Sequence, residues 1–199
     1  MDGIVNLLFV GVGGQGILTA SDIAATVGLE AGFEAKKSEV HGFSQRGGVV
    51  ESHVRWGDCV GSPTGERGSI DFLVAVELLE SVRWIDWLRP GGVVVINRQR
   101  IAPMTVTVGG ATYPTEAAIL AQVRTRTQDV MLLDAFGIAS GLGDARMTNT
   151  VLLGALSTRL EVAPEFWLSV IEQRMPPKVA KPNREAFLEG RRAVGRGQA

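Results

Sequence analysis

One cysteine, two histidines and one tyrosine in 199 residues remove whole classes of chemistry at the outset. A single thiol, Cys59, cannot hold an iron–sulfur cluster, which takes about four, and it forms no disulfide within the chain. With His41 and His53 it makes no spaced ligand set for structural zinc. Redox metal chemistry, if the protein takes part in any, belongs to another chain. Net charge is close to nil, at −1, so there is no electrostatic footprint for nucleic acid or an anionic membrane. No apolar run approaches the roughly 18 residues that a membrane span needs. The amino terminus runs straight into a strand pattern without a signal-peptide pattern, and a cytoplasmic protein is expected. What remains is ordinary for a globular protein: 45% hydrophobic and 21% charged residues. One domain over residues 1–199 is expected, with a C-terminal helical appendage over about 161–199.

The chain is organised around Phe9-Val10-Gly11-Val12-Gly13-Gly14-Gln15-Gly16. It follows an apolar run from Ile4 to Val10 and precedes a helical pattern over Gln15 to Leu29. Gly11, Gly13 and Gly16 stand at the G-x-G-x-x-G spacing between strand and helix. Glycine there lets the chain turn sharply and lets backbone N–H groups approach a ligand. The helix that follows aims the positive end of its dipole at that place. A tight strand-to-helix turn with no ligand satisfies the same glycines. In a dinucleotide-binding fold an acid closes the second strand about 20 residues further on. Here Phe33 to Lys37 closes on Lys36-Lys37, and Glu39 lies beyond it. That disfavours NAD and tilts the site towards an anionic, phosphate-bearing ligand.

Ser38 to Gly48, SEVHGFSQRGG, has no period of 2 or 3.6 and is rich in polar residues and glycine. His41, Ser44, Gln45 and Arg46 offer donors, and Gly47-Gly48 allows close backbone approach, so a binding loop is expected. A solvated His41 and an Arg46 paired with Glu39 are the plainer accounts of the same residues. Val49 to Trp56 suits a strand, with Cys59-Val60 starting its return; the pair reads as an antiparallel hairpin at the sheet edge. His53 on it reads as structural or partner-facing. Ile70 to Val76 is a buried strand followed by a helix over Glu77 to Leu88. Val93 to Ile96, Thr105 to Val108 and Val130 to Leu133 are further strands, with a helix from Pro114 to about Thr125. Asn97 and Asp134 end strands at the edge where open α/β sheets bind ligands. Beyond Ala135 the pattern is helical: Ala135 to Gly141, Asn149 to Leu160, Pro164 to Gln173, and Asn183 to Val194. Residues 176–199 carry six Lys/Arg against two Asp/Glu, which suits either a solvated terminal helix or one docked on another subunit.

GVGGQG, KKSEVHGFSQRGG, GERGSIDFLVAVELLE, RPGGVVVIN and MTNTVLLGAL, in that order, together resemble the gamma-type subunit or domain of 2-oxoacid:ferredoxin oxidoreductases. Within that family the sequence is most similar to the indolepyruvate branch, whose beta subunit carries a loop KKSEVHG-x-SQRGG. Phe43 stands where Met is usual. The resemblance implies an open, mainly parallel Rossmann-like sheet with flanking helices, a β-hairpin insertion near 49–60 and a helical C-terminal region. It also implies an enzyme that decarboxylates a 2-oxoacid on thiamine diphosphate. Electrons pass through 4Fe–4S clusters to ferredoxin, and an acyl-CoA is released. Thiamine diphosphate, its Mg and the clusters would be carried by a larger partner subunit. This chain would pack beside the active site, near the oxoacid or coenzyme A, and bind no cofactor alone. The lone cysteine and the absence of a thiamine-binding GDG…N pattern agree with that division. The expected ligand-binding set is Gly11, Gly13, Gly14, Gln15, Gly16, Ser44, Gln45, Arg46, Gly47 and Gly48, with His41 the sole candidate acid/base group in the loop. Arg46 suits a bidentate grip on carboxylate or phosphate. Action on pyruvate, 2-oxoglutarate or a branched-chain oxoacid, a free-standing nucleotide- or coenzyme A-binding module, and an NAD-linked dehydrogenase are the alternatives.

Overall fold

The computed structural model describes residues 3–41 and 48–196. The strands are β1 (Val5–Val12), β2 (Glu34–His41), β3 (Val49–Gly57), β4 (Ile70–Ala75), β5 (Leu88–Asn97) and β6 (Val130–Leu133). The helices are α1 (Ile17–Glu30), α2 (Glu80–Arg83), α3 (Met104–Thr107), α4 (Glu116–Arg124), α5 (Ala135–Gly141), α6 (Thr148–Leu156), α7 (Pro164–Arg174) and α8 (Pro177–Arg196). The six strands form one sheet in the order β2-β3-β1-β4-β5-β6. β1, β4, β5 and β6 pair in parallel, while β3 runs antiparallel to both its neighbours.

The parallel strands are apolar on both faces because both faces are covered. Alternation sends Leu7 and Phe9 of β1 to one core, with Ile23 of α1, Leu152 of α6, Trp167 of α7 and Phe187 of α8. Leu8 and Val10 face the opposite core, with Leu73, Ile96, and Ile119 and Val123 of α4. Such runs identify themselves in sequence, and β6 and α5 fall where periodicity places them. Among the described residues no helix is long and apolar enough to cross a membrane.

Several local expectations are corrected. The hairpin is β2 with β3, and β3 lies inside the sheet, antiparallel to both β2 and β1, with β2 at the edge. Cys59-Val60 forms no returning strand; the Val60 N–H instead donates to Glu34 Oε2 at 2.8 Å. The expected helix over Glu77 to Leu88 shrinks to α2 and a 3-10 turn at Ile85–Trp87. Leu88 is already paired with Ile70 as the first residue of β5, with a bulge between Ile70 and Phe72. Residues 105–107, expected as strand, are helical, in an exposed segment with no sheet neighbour to pair with. The C-terminal helix is not solvated on all sides, since Ala186 and Phe187 of α8 belong to the core.

Candidate functional site

The turn from β1 into α1 has the geometry its glycines predict. Gly14 and Gly16 adopt φ of 94° and 75°, the left-handed region that a side chain disfavours. Gly11 is needed for space: a Cβ there would lie 2.8 Å from Gln15 Oε1 and from Ile17 Cδ1. The Gly13 N–H donates to the Gly48 carbonyl at 2.8 Å, which joins the glycine turn to the end of the polar loop, 35 positions on. Ser44, Gln45, Arg46 and Gly47 lie outside the described residues. His41 ends β2 opposite Val50, and its side chain is likewise outside the description.

Gln15 does not reach outwards. Its Oε1 accepts from the Val12 N–H at 2.8 Å, and its Nε2 donates to Val76 O at 3.3 Å and Gln99 Oε1 at 3.1 Å. The side chain is a clasp that ties the glycine turn to the carboxyl end of β4. Asn97 serves the same junction, donating to Val76 O at 3.0 Å. It is fully buried. Asp134 is the N-cap of α5, accepting from the Gly137 N–H at 2.8 Å. Lys36 pairs with Glu34, and Lys37 with Asp22 and Glu39. Because β3 separates β2 from β1, these lysines do not flank the glycine turn, and they carry no argument for an anion there.

A residue that sequence reading passed over completes the turn. Asn149, the second residue of α6, donates from Nδ2 to the Gln15 carbonyl at 2.6 Å. It lies in the MTNTVLLGAL segment, which reads as helix; its polar side chain on an otherwise apolar face was the available signal. Between α1, α6 and the start of α8 opens a cleft of ≈ 510 Å³, lined by Gly14, Gly16, Thr19, Asn149 and Val179 among others. A smaller hollow of ≈ 220 Å³ adjoins it at the sheet edge, with Val76, Gln99 and Phe136 in its wall. The two share Gly14, Gln15 and Arg146. The free cysteine, Cys59, is exposed, and the chain's own residues do not fit an iron–sulfur cluster.

His53 is 1% exposed, packs 5.3 Å from Trp87, and neither ring nitrogen has a partner among the described residues. Burial, reinforced by the Arg55 charge, pushes its pKa down to about 4. In the unfolded chain the same imidazole titrates near 6.5. Between these values only the unfolded state binds the proton, so stability falls as pH drops from about 6.5 to about 4, by about 3 kcal/mol. Urea unfolding at pH 7 and pH 4.5 checks this. The wild type should lose more than His53→Phe, and equal losses would overturn it.

A protein-family model described as pyruvate ferredoxin/flavodoxin oxidoreductase matches residues 6–193. Indolepyruvate oxidoreductase subunit IorB of Pyrococcus horikoshii is 38% identical over 95% of this chain and 95% of its own. The keto/oxoacid ferredoxin oxidoreductase gamma subunit of Geobacter sulfurreducens shares the fold, with a TM-score of 0.71 at 24% identity over 96% of this chain and 98% of its own. A 2-oxoglutarate:ferredoxin oxidoreductase from Magnetococcus marinus, solved with 2-oxoglutarate, coenzyme A and succinyl-CoA bound, contains the fold as well. The match covers 98% of this chain and 32% of that one, with a TM-score of 0.75 and 22% identity.

Proposed function

The chain belongs to the pyruvate ferredoxin/flavodoxin oxidoreductase family, and from that premise we propose that it is the non-thiamine subunit of a 2-oxoacid:ferredoxin oxidoreductase acting on indolepyruvate or a related aryl-pyruvate. The observation that carries the reading is the Gly13–Gly48 hydrogen bond. It ties Gly48, the last residue of the long polar stretch, to the glycine turn. There Gly11 to Gly16 and Ser44 to Gly48 would form a single ligand- and subunit-facing surface. The 38% identity over 95% of both chains with the indolepyruvate oxidoreductase subunit of Pyrococcus horikoshii supports the substrate class.

In this reading the oxidoreductase chemistry is completed by a larger subunit. That partner carries thiamine diphosphate with its Mg and the 4Fe–4S clusters, and passes electrons to ferredoxin in the cytoplasm. Coenzyme A is the cosubstrate. The residues of this chain bind and position: Arg46 grips a carboxylate or phosphate by paired hydrogen bonds, with Ser44 and Gln45 beside it. Gln15 and Asn149 hold the turn that presents the backbone. His41 is the loop's one acid/base candidate, and positioning needs no proton from it.

Co-expression with the large subunit, followed by anaerobic viologen reduction, tests this. Indolepyruvate, phenylpyruvate, pyruvate and 2-oxoglutarate are compared with and without coenzyme A. Coenzyme A-dependent activity that needs both chains, highest with an aryl-pyruvate, is expected. Full activity from the large chain alone, or failure of the two to form a complex, would overturn the subunit reading.

A further inference from the structure

The large apolar side chains left in water gather along one edge of the molecule. Val40 lies near the end of β2, Val49 opens β3, Met104 and Val108 follow β5, and Phe136 follows β6. Because β3 runs antiparallel to β1, Val49 stands beside Val12 at the carboxyl end of that strand. All five therefore lie on the carboxyl edge, from the first strand in the sheet order to the last. Among the described residues only Leu29 and Phe166 are exposed large apolar side chains elsewhere. Single exposed apolar residues are ordinary, but a row of them along one edge marks a contact surface.

The two most exposed of them stand on an arm, residues 101–113, between β5 and α4. Residues 101–115 hold no charged side chain in a chain that is 21% charged, and α3 within the arm has no buried residue. Met104 and Val108 are four positions apart, on one side of that short helix, and are 75% and 73% exposed. The arm is nonetheless tied down. One oxygen of the buried Glu77 accepts from the Ile101 N–H at 3.0 Å and from the Tyr113 hydroxyl at 2.6 Å, at the two ends of the arm. Across it the Gly110 N–H donates to the Thr105 carbonyl at 2.9 Å. A compact loop with closed ends loses little freedom when it binds, so its apolar area goes into affinity.

Charge decides what fits the arm. Interface cores are depleted in charge and enriched in Met, inside a polar rim. At the foot of the arm Arg100 lies over the Tyr113 ring, 5.9 Å from its centroid, with no carboxylate partner among the described residues. Its neighbour Arg98, by contrast, is paired with Glu116. The complementary surface is therefore apolar and uncharged where Met104 and Val108 enter, with an acid at its rim for Arg100. A second copy does not supply this through the same arm. Such an isologous contact sets convex against convex and offers Arg100 no acid, since residues 101–115 have none. We propose that the arm docks in an apolar, acid-rimmed hollow of the larger subunit, with Met104 and Val108 as its anchors. The proposal deepens the subunit reading above and rests on it. The Gln15 to Gln99 hydrogen bond joins the glycine turn to the foot of the arm, so docking sets that turn against the partner.

Biolayer interferometry of the chain against the purified larger subunit tests this. Met104→Asp and Val108→Asp should each weaken the complex by about 30-fold or more. Both positions are exposed, so the melting temperature should stay within about 2 °C of wild type. Arg100→Glu should weaken the complex by about tenfold, and by less in high salt. Leu29→Asp, in the last turn of α1 at the opposite edge, should leave the affinity unchanged. Wild-type affinity in both Met104→Asp and Val108→Asp, or an equal loss in Leu29→Asp, would overturn the arm and leave the subunit reading standing. Self-association that the two variants abolish while the complex stays intact would assign the arm to a second copy, and overturn the proposal as well. No complex with the wild-type chain would overturn the subunit reading and the arm with it.

Discussion

Gly154→Ala is expected to destabilise the chain by about 4 kcal/mol or more, the far tail of single substitutions. A Cβ at position 154 would stand 2.0 Å from the Phe187 carbonyl oxygen, and one at Gly190 would stand 1.9 Å from that of Val151. Both obstacles are backbone, so no rotamer change relieves them. The α6 and α8 helices cross at these two glycines, with all nine residues of α6 buried. Any separation also breaks the Thr150 Oγ1 to Asn183 Oδ1 bond of 2.7 Å and the Arg191 to Ser157 bond of 2.7 Å. Phe187 further stacks on Trp167, which touches Trp56 of β3, so a displaced α8 disturbs packing down to the sheet. Gly195, on the same helix, has nothing within 4 Å of its would-be Cβ among the described residues. Gly195→Ala should therefore stabilise, by up to about 1 kcal/mol, through helix propensity alone. Denaturant unfolding of the two variants gives opposite signs if the crossing is as described. A Gly154→Ala protein within 1 kcal/mol of wild type would rule the close crossing out, given that such overlaps cost about 1–3 kcal/mol even where a core can yield.

Glu77→Ala should cost about 3–4 kcal/mol, for a reason of polarity instead of volume. Glu77 follows β4 at the carboxyl edge of the sheet and is 1% exposed. One carboxylate oxygen accepts from the Leu79 and Glu80 N–H groups at 2.7 and 3.1 Å. The other accepts from the Ile101 N–H at 3.0 Å and the Tyr113 hydroxyl at 2.6 Å. Truncation takes the acceptor from the Glu80 and Ile101 N–H groups and the Tyr113 hydroxyl, while the Leu79 N–H keeps the Tyr113 hydroxyl oxygen at 3.1 Å. Burial and the adjacent Glu77 carboxylate raise the Tyr113 pKa, so its proton stays in that bond across the physiological range. Glu77→Gln should rescue little, because an amide nitrogen would face N–H donors where the carboxylate accepts. Tyr113→Phe removes one of the four donors and a second acceptor of the Leu79 N–H, which keeps its 2.7 Å bond to Glu77, and should cost only about 1 kcal/mol. Unfolding free energies in the order wild type, Tyr113→Phe, then the Glu77 variants would bear this out, and a Glu77→Ala equal to Tyr113→Phe would refute it. Glu77 also reaches the function. The segment it pins at Ile101 includes Gln99, whose side chain holds the Gln15 clasp on the glycine turn. Glu77 variants should therefore loosen the glycine turn in step with stability.

The amino-acid sequence alone determined the α/β class, the strands β1, β4 and β6, the glycine turn and the family. Each depends on contiguous residues: apolar runs long enough for one strand, glycines at fixed spacing, and a long loop whose composition is specific. Local pattern also misled where a neighbour decided the outcome. Leu88 to Gly92 reads as a helix stop, yet pairing with β4 draws it into β5. Thr105 to Val108 alternates like a strand, yet has no strand to pair with. Lys36-Lys37 occupies the place of a ribose-binding acid in sequence, but insertion of β3 beside β1 moves β2 to the sheet edge.

The site itself was decided almost entirely in three dimensions. Gln15 reads as a ligand donor and is a clasp, because its partners Val76 and Gln99 come from strand ends 61 and 84 positions away. Asn149 reads as one polar residue in an apolar helix. It becomes a brace on the glycine turn because α6 packs across that turn, 134 positions from the carbonyl it holds. Periodicity and spacing report what a segment can form. Which unsatisfied donor or acceptor meets which cavity depends on strand order and helix packing, and those are set by the burial of the whole chain at once.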